Sequence, residues 1–332
     1  GTVLGRLVKR SGEPVIRSAM LQAMRIMGKQ FVLGRNIKEA LKNAKEQRDN
    51  GYTYSFDMLG EAALTRADAA KYLTDYSEAI AALASDKYQG KSPKPTISIK
   101  LSALHPHYES AREQQVLEEL SETVLGLIRQ ARAGGVGITI DAEEADRLEL
   151  SLKLFQRIYN HSDSRGWGDF GIVVQAYSKR ALPVLCWLTL LAKEQGDLIP
   201  VRLVKGAYWD TEIKLSQQAG LEGYPVFTRK EGTDVSYLAC ARYLLSTQTE
   251  GLIYSQFATH NAHTVTCILS MAGDRPFEFQ RLHGMGDALY DTVLEQNSCA
   301  VRIYAPVGAH KDLLPYLVRR LLENGANSSF VH

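Results

Sequence analysis

Cysteine is scarce, with 4 in 332 residues. Cys186, Cys240, Cys267 and Cys299 lie far apart without a C-x-x-C pair, which excludes a disulfide scaffold and fits a reducing cytoplasm. An excess of one charge is also missing. Lys plus Arg number 39 against 37 Asp plus Glu, a net charge of +2, so no global cationic field argues for nucleic acid. Long hydrophobic runs are absent too. The longest, Ala181 to Ala192, has twelve residues and contains Thr189, a core-helix length well short of the about 20 that a membrane span needs. Arg6, Lys9 and Arg10 lead into an amphipathic segment rather than the apolar block of a signal peptide. The chain begins at Gly1 rather than Met, as expected of a fragment or a processed chain. No Pro/Gly-rich linker, low-complexity tract or repeat divides it, and no G-x-G-x-x-G follows a strand, which excludes a Rossmann cradle.

What is present is the mixture of an ordinary soluble globule, 45% hydrophobic and 23% charged. Residues 1–50 and 65–86 read as helices; Ser11, Glu13 and Pro14 open a segment whose Val15, Ile16, Met20, Ala23, Met24 and Met27 recur close to helical period. Eight β-rich runs follow, at 54–59, 96–104, 136–144, 171–178, 199–207, 252–260, 277–286 and 300–308. Amphipathic segments such as Gln114 to Arg132 and Ala145 to Tyr159 lie between them. Eight β-then-α units in order predict an α/β fold, a (βα)8 barrel over 51–332 with an N-terminal helical arm over 1–50. A doubly wound open sheet is the alternative.

Chemistry in such a barrel collects at the C-terminal ends of the strands. Polar residues concentrate there: Lys100; Asp141, Glu143 and Glu144; Gln175 and Tyr177; Arg202, Lys205 and Tyr208; Thr259, His260 and Asn261; His283; Tyr304. Any one of them alone reads equally well as a satisfied polar group of a barrel layer or a helix N-cap, but Lys100 interrupting one strand and six more strands ending this way read as an active-site rim. The richest segment is VRLVKGAYWD (201–210). Arg202 and Lys205 are cationic donors, Gly206 allows close backbone approach, and Tyr208 and Trp209 can stack on a planar ring. Thr228, Arg229 and Lys230, in a loop, suit a diphosphate. With residues 259–261 they suggest an anionic, aromatic cofactor lying across several strand ends.

The last helix, from Asp312 as N-cap to Gly325 beyond its end, carries Leu314, Leu317, Val318, Leu321 and Leu322 on one stripe. Tyr316, Arg319, Arg320 and Glu323 fall on the opposite face. That face reads either as a solvated surface with an Arg319–Glu323 pair or as two guanidinium forks converging on one carboxylate. A metal site is the weaker reading of His105 and His107: they flank a proline beyond the strand, His263 sits where a helix begins, and no metal is assigned. The rivals are therefore a metal-dependent barrel hydrolase using the His105/His107 pair and a non-catalytic scaffold that only binds the cofactor.

The blocks SIKLSALHPHY (98–108), IDAEEADRLE (140–149), QAYSKR (175–180), RLVKGAYWD (202–210), YPVFTRK (224–230), TDVSYLACA (233–241), QFATHNAHT (256–264), LHGMG (282–286), RIYAPVG (302–308) and YLVRRLLENGANSSFV (316–331) resemble the flavin-dependent proline dehydrogenases. They are most similar to the proline dehydrogenase domain of the bacterial bifunctional proline utilization A proteins, and the resemblance runs over nearly the whole chain. It implies a distorted (βα)8 barrel with a final helix over the mouth. It also implies FAD as cofactor, oxidation of L-proline to Δ1-pyrroline-5-carboxylate, and electrons passed to a membrane quinone, with peripheral membrane contact in the full-length protein. Arg319 and Arg320, assisted by Lys100, match the pair that holds the proline carboxylate. Tyr304 matches the wall against the pyrrolidine ring, Leu282 an apolar contact, Glu323 the acid orienting the arginines, and Asp141 and Tyr208 polar neighbours. Gln175 and Arg202 match the groups bonded to the isoalloxazine. Lys205, Gly206, Ala207, Tyr208, Trp209, Thr228, Arg229, Lys230, Thr259, His260 and Asn261 match the rest of the FAD cradle. The family's full proteins carry an aldehyde dehydrogenase domain after the barrel and some a DNA-binding domain before it; neither is expected in this chain, nor is a nucleic-acid partner.

Overall fold

The structure, a computed structural model, describes residues 30–90, 92–297 and 299–309, with Ser18, Gln22, Gly28 and Tyr316. Eight parallel strands close into one barrel in sequence order: β1 (Thr53–Met58), β2 (Thr96–Ile99), β3 (Ile138–Ile140), β4 (Phe170–Gln175), β5 (Ile199–Val204), β6 (Ile253–Ala258), β7 (Phe277–Leu282) and β8 (Ala300–Val307). β8 returns to β1 with Tyr304 beside Ser55, which closes the ring and excludes the open sheet. Among the described residues, α1 (Ile37–Asn43) and α2 (Lys45–Asp49) precede β1. The helices between strands include α3 (Arg66–Ala84), α4 (Leu101–Leu104), α5 (Glu113–Gly134), α6 (Leu148–Tyr159), α7 (Ala181–Gln195), α8 (Trp209–Gln218), α9 (Lys230–Leu244), α10 (Ala262–Ala272) and α11 (Asp287–Gln296).

The helix ends follow local chemistry. Thr65 and Asp68 form a capping box on α3, and Asn261 accepts from the Thr264 N–H at the start of α10. Gly135 stops α5 at φ +64°, a left-handed turn that glycine takes without strain. The core lies between barrel and helices. Outward side chains such as Phe56, Ile99, Ile140, Ile172, Leu203, Phe257, Phe279 and Ile303 are buried against the helical ring.

Three expectations are corrected. Residues 32–36 break the helix expected over 1–50: Leu33 donates to Pro306 O, Gly308 to Gly34 O, and Gly34 bridges Val307 in parallel, so the chain runs extended along β8. A Cβ on Gly34 would lie 2.6 Å from the Ala40 nitrogen, which explains the glycine. The run 96–104 stops as a strand at Ile99, and Leu101–Leu104 form a helical turn. Lys230, expected in a loop, is the first residue of α9. The final helix lies outside the described residues except for Tyr316, which is buried with Phe31 and Leu59.

Candidate active site

The barrel interior is polar, where (βα)8 barrels usually pack Val, Ile and Leu. At its C-terminal mouth one cluster joins six strands. Lys100 follows β2, and its Nζ lies 2.6 Å from Asp57 Oδ1 on β1 and 3.3 Å from Asp141 Oδ2 after β3. The Arg202 guanidinium, on β5, donates to Asp141 Oδ1 at 2.8 Å, to Gln280 Oε1 on β7 at 2.5 Å, and to the hydroxyls of Ser98 and Ser55 at 3.0 and 3.2 Å. Tyr304 on β8 donates its hydroxyl to Asp141 Oδ2 at 2.8 Å, and its ring lies 5.0 Å from the Arg202 guanidinium carbon. The Lys100 backbone N–H, in turn, donates to the buried Tyr76 hydroxyl.

The electrostatics follow from this packing. Burial disfavours the Lys100 ammonium, yet Asp57, with Tyr304 and Asp141 behind it, holds its pKa well above the usual lysine value. Burial first, then Asp141 and Asp57, push the Tyr304 phenol well above its ordinary value, so it stays a neutral donor. Asp141 is shared: its Oδ1 accepts from Arg202, and its Oδ2 from Lys100 and Tyr304.

Around this cluster run the residues expected to form a cofactor cradle. Gln175 is fixed at both ends: its amide N donates to Glu143 O at 2.9 Å, and its amide O accepts from the Ala207 N–H at 3.1 Å. Gly206 has φ +143°, and a Cβ there would lie 2.4 Å from the Tyr177 ring, so the 205–208 turn sits flat on that ring. Tyr208 precedes α8, and Trp209 donates from its indole to Phe227 O at 2.8 Å. Lys205 and Lys230 share Asp234 at 2.5 and 3.0 Å, while Thr228 and Arg229 are exposed beside them. On the far side, Thr259 is buried and Asn261 is used as a helix cap. His260 accepts from the Leu282 N–H through Nε2 at 3.0 Å, a bond that ties the ends of β6 and β7 together. Glu143 and Glu144 are turned to Arg147 at 3.1 and 3.2 Å.

Lys100, Asp141, Arg202 and Tyr304 are thus in direct contact, whereas Lys205, Thr228, Arg229 and Lys230 form a separate basic margin. Arg319, Arg320 and Glu323 lie outside the described residues. The histidine pair is occupied locally: His105 Nε2 is 3.2 Å from Glu119, and its Nδ1 accepts from the His107 N–H. Among the described residues no group of three or more His, Cys, Asp or Glu is placed to hold a metal ion. Sequence reasoning missed Asp57, Gln280 and the two serines. Their signal is a polar residue at every second position, Thr53/Ser55/Asp57, Thr96/Ser98/Lys100 and Glu278/Gln280, which marks the inward face of each strand.

Comparison with known proteins now decides the family. A model described as proline dehydrogenase matches residues 40–332. The chain belongs to the proline dehydrogenase family. A second model, described as the DNA-binding domain of proline dehydrogenase, matches residues 1–31, so the arm, expected to hold nothing of such a domain, is similar to part of one. The chain is 52% identical over 339 residues to the bifunctional protein PutA of Escherichia coli, covering 99% of this chain and 26% of that protein. Against PutA of Rhizobium meliloti it is 52% identical over 333 residues, 98% of this chain and 27% of the relative. Among solved structures, a variant of proline utilization A from Bradyrhizobium japonicum superposes with TM-score 0.84 at 52% identity, over 98% of this chain and 34% of that one. The Bdellovibrio bacteriovorus protein inactivated by N-propargylglycine gives 0.89 at 32% identity, over 96% of this chain and 35% of that one. The chain spans about a quarter of the length of its curated PutA relatives. No helix among the described residues is long and apolar enough to cross a membrane.

Proposed function

We propose that this proline dehydrogenase domain oxidises L-proline to Δ1-pyrroline-5-carboxylate with FAD as hydride acceptor. The electrons pass on to a membrane quinone, which the longer parent protein meets by peripheral contact. The observation that carries the reading is the charged cluster of Lys100, Asp57, Asp141, Arg202 and Tyr304 at the mouth of a barrel of this family. We take 51–332 as the catalytic domain and 1–50 as its arm.

The residues present fit FAD. Gln256 Oε1 is buried without a protein partner, and Gln256 lies beside Arg202 in the β5–β6 register. An isoalloxazine edge carries both donors and acceptors, and an unpaired buried acceptor is costly unless some group answers it. A diphosphate suits the basic margin, where Lys205, Arg229 and Lys230 outnumber Asp234. In this reading Gln175 and Arg202 hold the ring, while Lys205, Gly206, Ala207, Trp209, Thr228, Arg229, Lys230, Thr259, His260 and Asn261 hold the remainder. When bound, the flavin supplies the two-electron acceptor, and the protein supplies orientation and electrostatics.

Arg319 and Arg320, with Lys100, hold the proline carboxylate, and Glu323 orients the two arginines. Tyr304 and Leu282 wall the apolar ring, with Tyr208 and Asp141 as polar neighbours. The amine must be neutral for hydride to leave the adjacent carbon. Cations around it lower its pKa as like charges do. Water takes this proton, since Asp141 already accepts from Lys100, Arg202 and Tyr304. A visible spectrum of the purified protein tests the reading. Flavin bands that bleach on adding L-proline are expected. Bands that persist would leave a non-catalytic flavin scaffold, and no bands at all would remove the cofactor assignment.

A further inference from the structure

We infer that Gln280 is a positioning residue: it fixes the Arg202 guanidinium at the barrel mouth by transmitting the orientation of a buried ion pair at the barrel floor. The inference rests on the proposed placement of Arg202 at the flavin ring and goes beyond it to what holds that arginine still.

The geometry points one way. At the floor, Arg302 grips Glu278 through two hydrogen bonds, Nε to Oε1 at 2.8 Å and Nη2 to Oε2 at 3.1 Å. Glu278 is 1% exposed, and an ionised carboxylate is an acceptor only. Gln280, two residues along β7 on the same inward face, is also 1% exposed and lies 2.8 Å from Glu278 Oε1 through its amide nitrogen. A carboxylate cannot receive the amide oxygen, so the amide has a single allowed orientation, with Oε1 turned upward. That oxygen accepts from Arg202 Nε at 2.5 Å. Arg302, Glu278, Gln280, Arg202 and Asp141 therefore form one unbroken polar chain from floor to mouth. Each link leaves its neighbour one way to point, and buried networks of this kind act as a unit. Arg202 has five N–H donors on a long stem. Without the fixed acceptor at Nε, the guanidinium is held only by Asp141 and by the rotatable hydroxyls of Ser55 and Ser98, which can follow it as it tilts.

Gln280→Met removes both amide ends at similar volume. Two readouts on the FAD-loaded protein test it: the dissociation constant for FAD and the flavin midpoint potential by dye equilibration. Q280M is expected to weaken FAD binding about tenfold, as for one lost charge-assisted bond. It should also shift the potential to more negative values, because a displaced cation no longer favours the reduced flavin. R202M should do the same. In the double variant R202M/Q280M, the second change should add nothing, since Gln280 acts through Arg202. Gln280→Asn, whose shorter amide cannot reach both partners, should act in the same direction at smaller size, and it carries the test should Q280M not fold. Equal shifts from Q280M with and without Arg202, or no shift beside an effective R202M, overturn the inference alone. A silent R202M overturns the placement of Arg202 at the flavin, and this inference falls with it.

Discussion

At the floor of the barrel, Arg302 and Glu278 meet through paired hydrogen bonds, and Arg302 spends Nη1 on Tyr54 O at 3.1 Å. At the mouth, Asp141 is divided among Lys100, Arg202 and Tyr304, and Lys100 between two carboxylates. Both sets join cations to carboxylates, but the floor residues are buried whereas Asp141 and Tyr304 at the mouth are only half-buried. The floor pairs one cation with one carboxylate, and the other groups that touch them, among them Gln280, Tyr254 and Tyr54 O, are neutral. The mouth is a shared arrangement: Lys100 lies between Asp57 and Asp141, and Asp141 also serves Arg202, so in the proposed function an incoming carboxylate joins an existing competition instead of prising apart a pair. Buried ion pairs contribute little net stability but are costly to break from one side. The floor therefore gives shape, and the mouth gives a surface that can exchange partners.

Breaking the floor should produce the largest effect. Arg302→Met leaves Glu278 buried and uncompensated, and about 3–5 kcal/mol of stability should be lost. The double replacement R302M/E278L should recover most of it. Urea unfolding of the three proteins checks this; a loss below about 1 kcal/mol would put the floor pair on a level with a surface salt bridge.

The mouth has its own pH-dependent element. His283 follows β7; burial, then Arg281, push its imidazole down to about 4 from an ordinary 6.5. The unfolded chain binds this proton more readily, so the stability due to the neutral ring is complete above about pH 6.5 and is lost as pH falls toward 4. The change amounts to about 3 kcal/mol over that window. His283→Asn should flatten it. Urea midpoints at pH 7.5 and 4.5 would differ equally in both proteins if His283 were not the cause.

The barrel was legible in the sequence because eight β-rich runs alternate with amphipathic stretches, and each run overlaps an observed strand. Strand ends were less legible. Residues 101–104 are as apolar as the strand before them, and only the closure of the barrel decides where β2 stops. The Lys100, Asp141, Arg202 and Tyr304 cluster was legible as polar residues near strand ends. Its partners were not: Asp57 sits inside a run that reads as core, and Gln280 one step from an outward-facing arginine. Period-two polarity on inward faces carries that information, but only once the barrel tells which face is inward.

In the proposed function, Arg319 and Arg320 hold the substrate carboxylate, and they sharpen the contrast from that side. Changing either to Met should raise the Michaelis constant for proline about tenfold to a hundredfold, the loss of one charge-assisted bond worth about 1.5–3 kcal/mol. FAD content should stay unaltered, and unfolding should move little, in contrast to the floor. A variant with unchanged proline affinity would remove that arginine from the carboxylate site.

The smallest effect separates the two uses of Tyr304. Its hydroxyl serves the shared network through Asp141 at 2.8 Å, while its ring faces the Arg202 guanidinium and, in the proposed function, the pyrrolidine. Tyr304→Phe keeps the ring and removes one hydrogen bond, which should cost about 1 kcal/mol of stability and leave the preference for proline over 4-hydroxyproline unchanged. Tyr304→Ala removes the wall as well. It should lower proline turnover and narrow the ratio of specificity constants, because the far edge of the substrate ring no longer meets a surface. If Phe narrows the ratio as much as Ala, the hydroxyl rather than the ring sets the preference, and the mouth discriminates by its hydrogen-bond network. If neither changes it, Tyr304 belongs to the network alone and another residue walls the substrate.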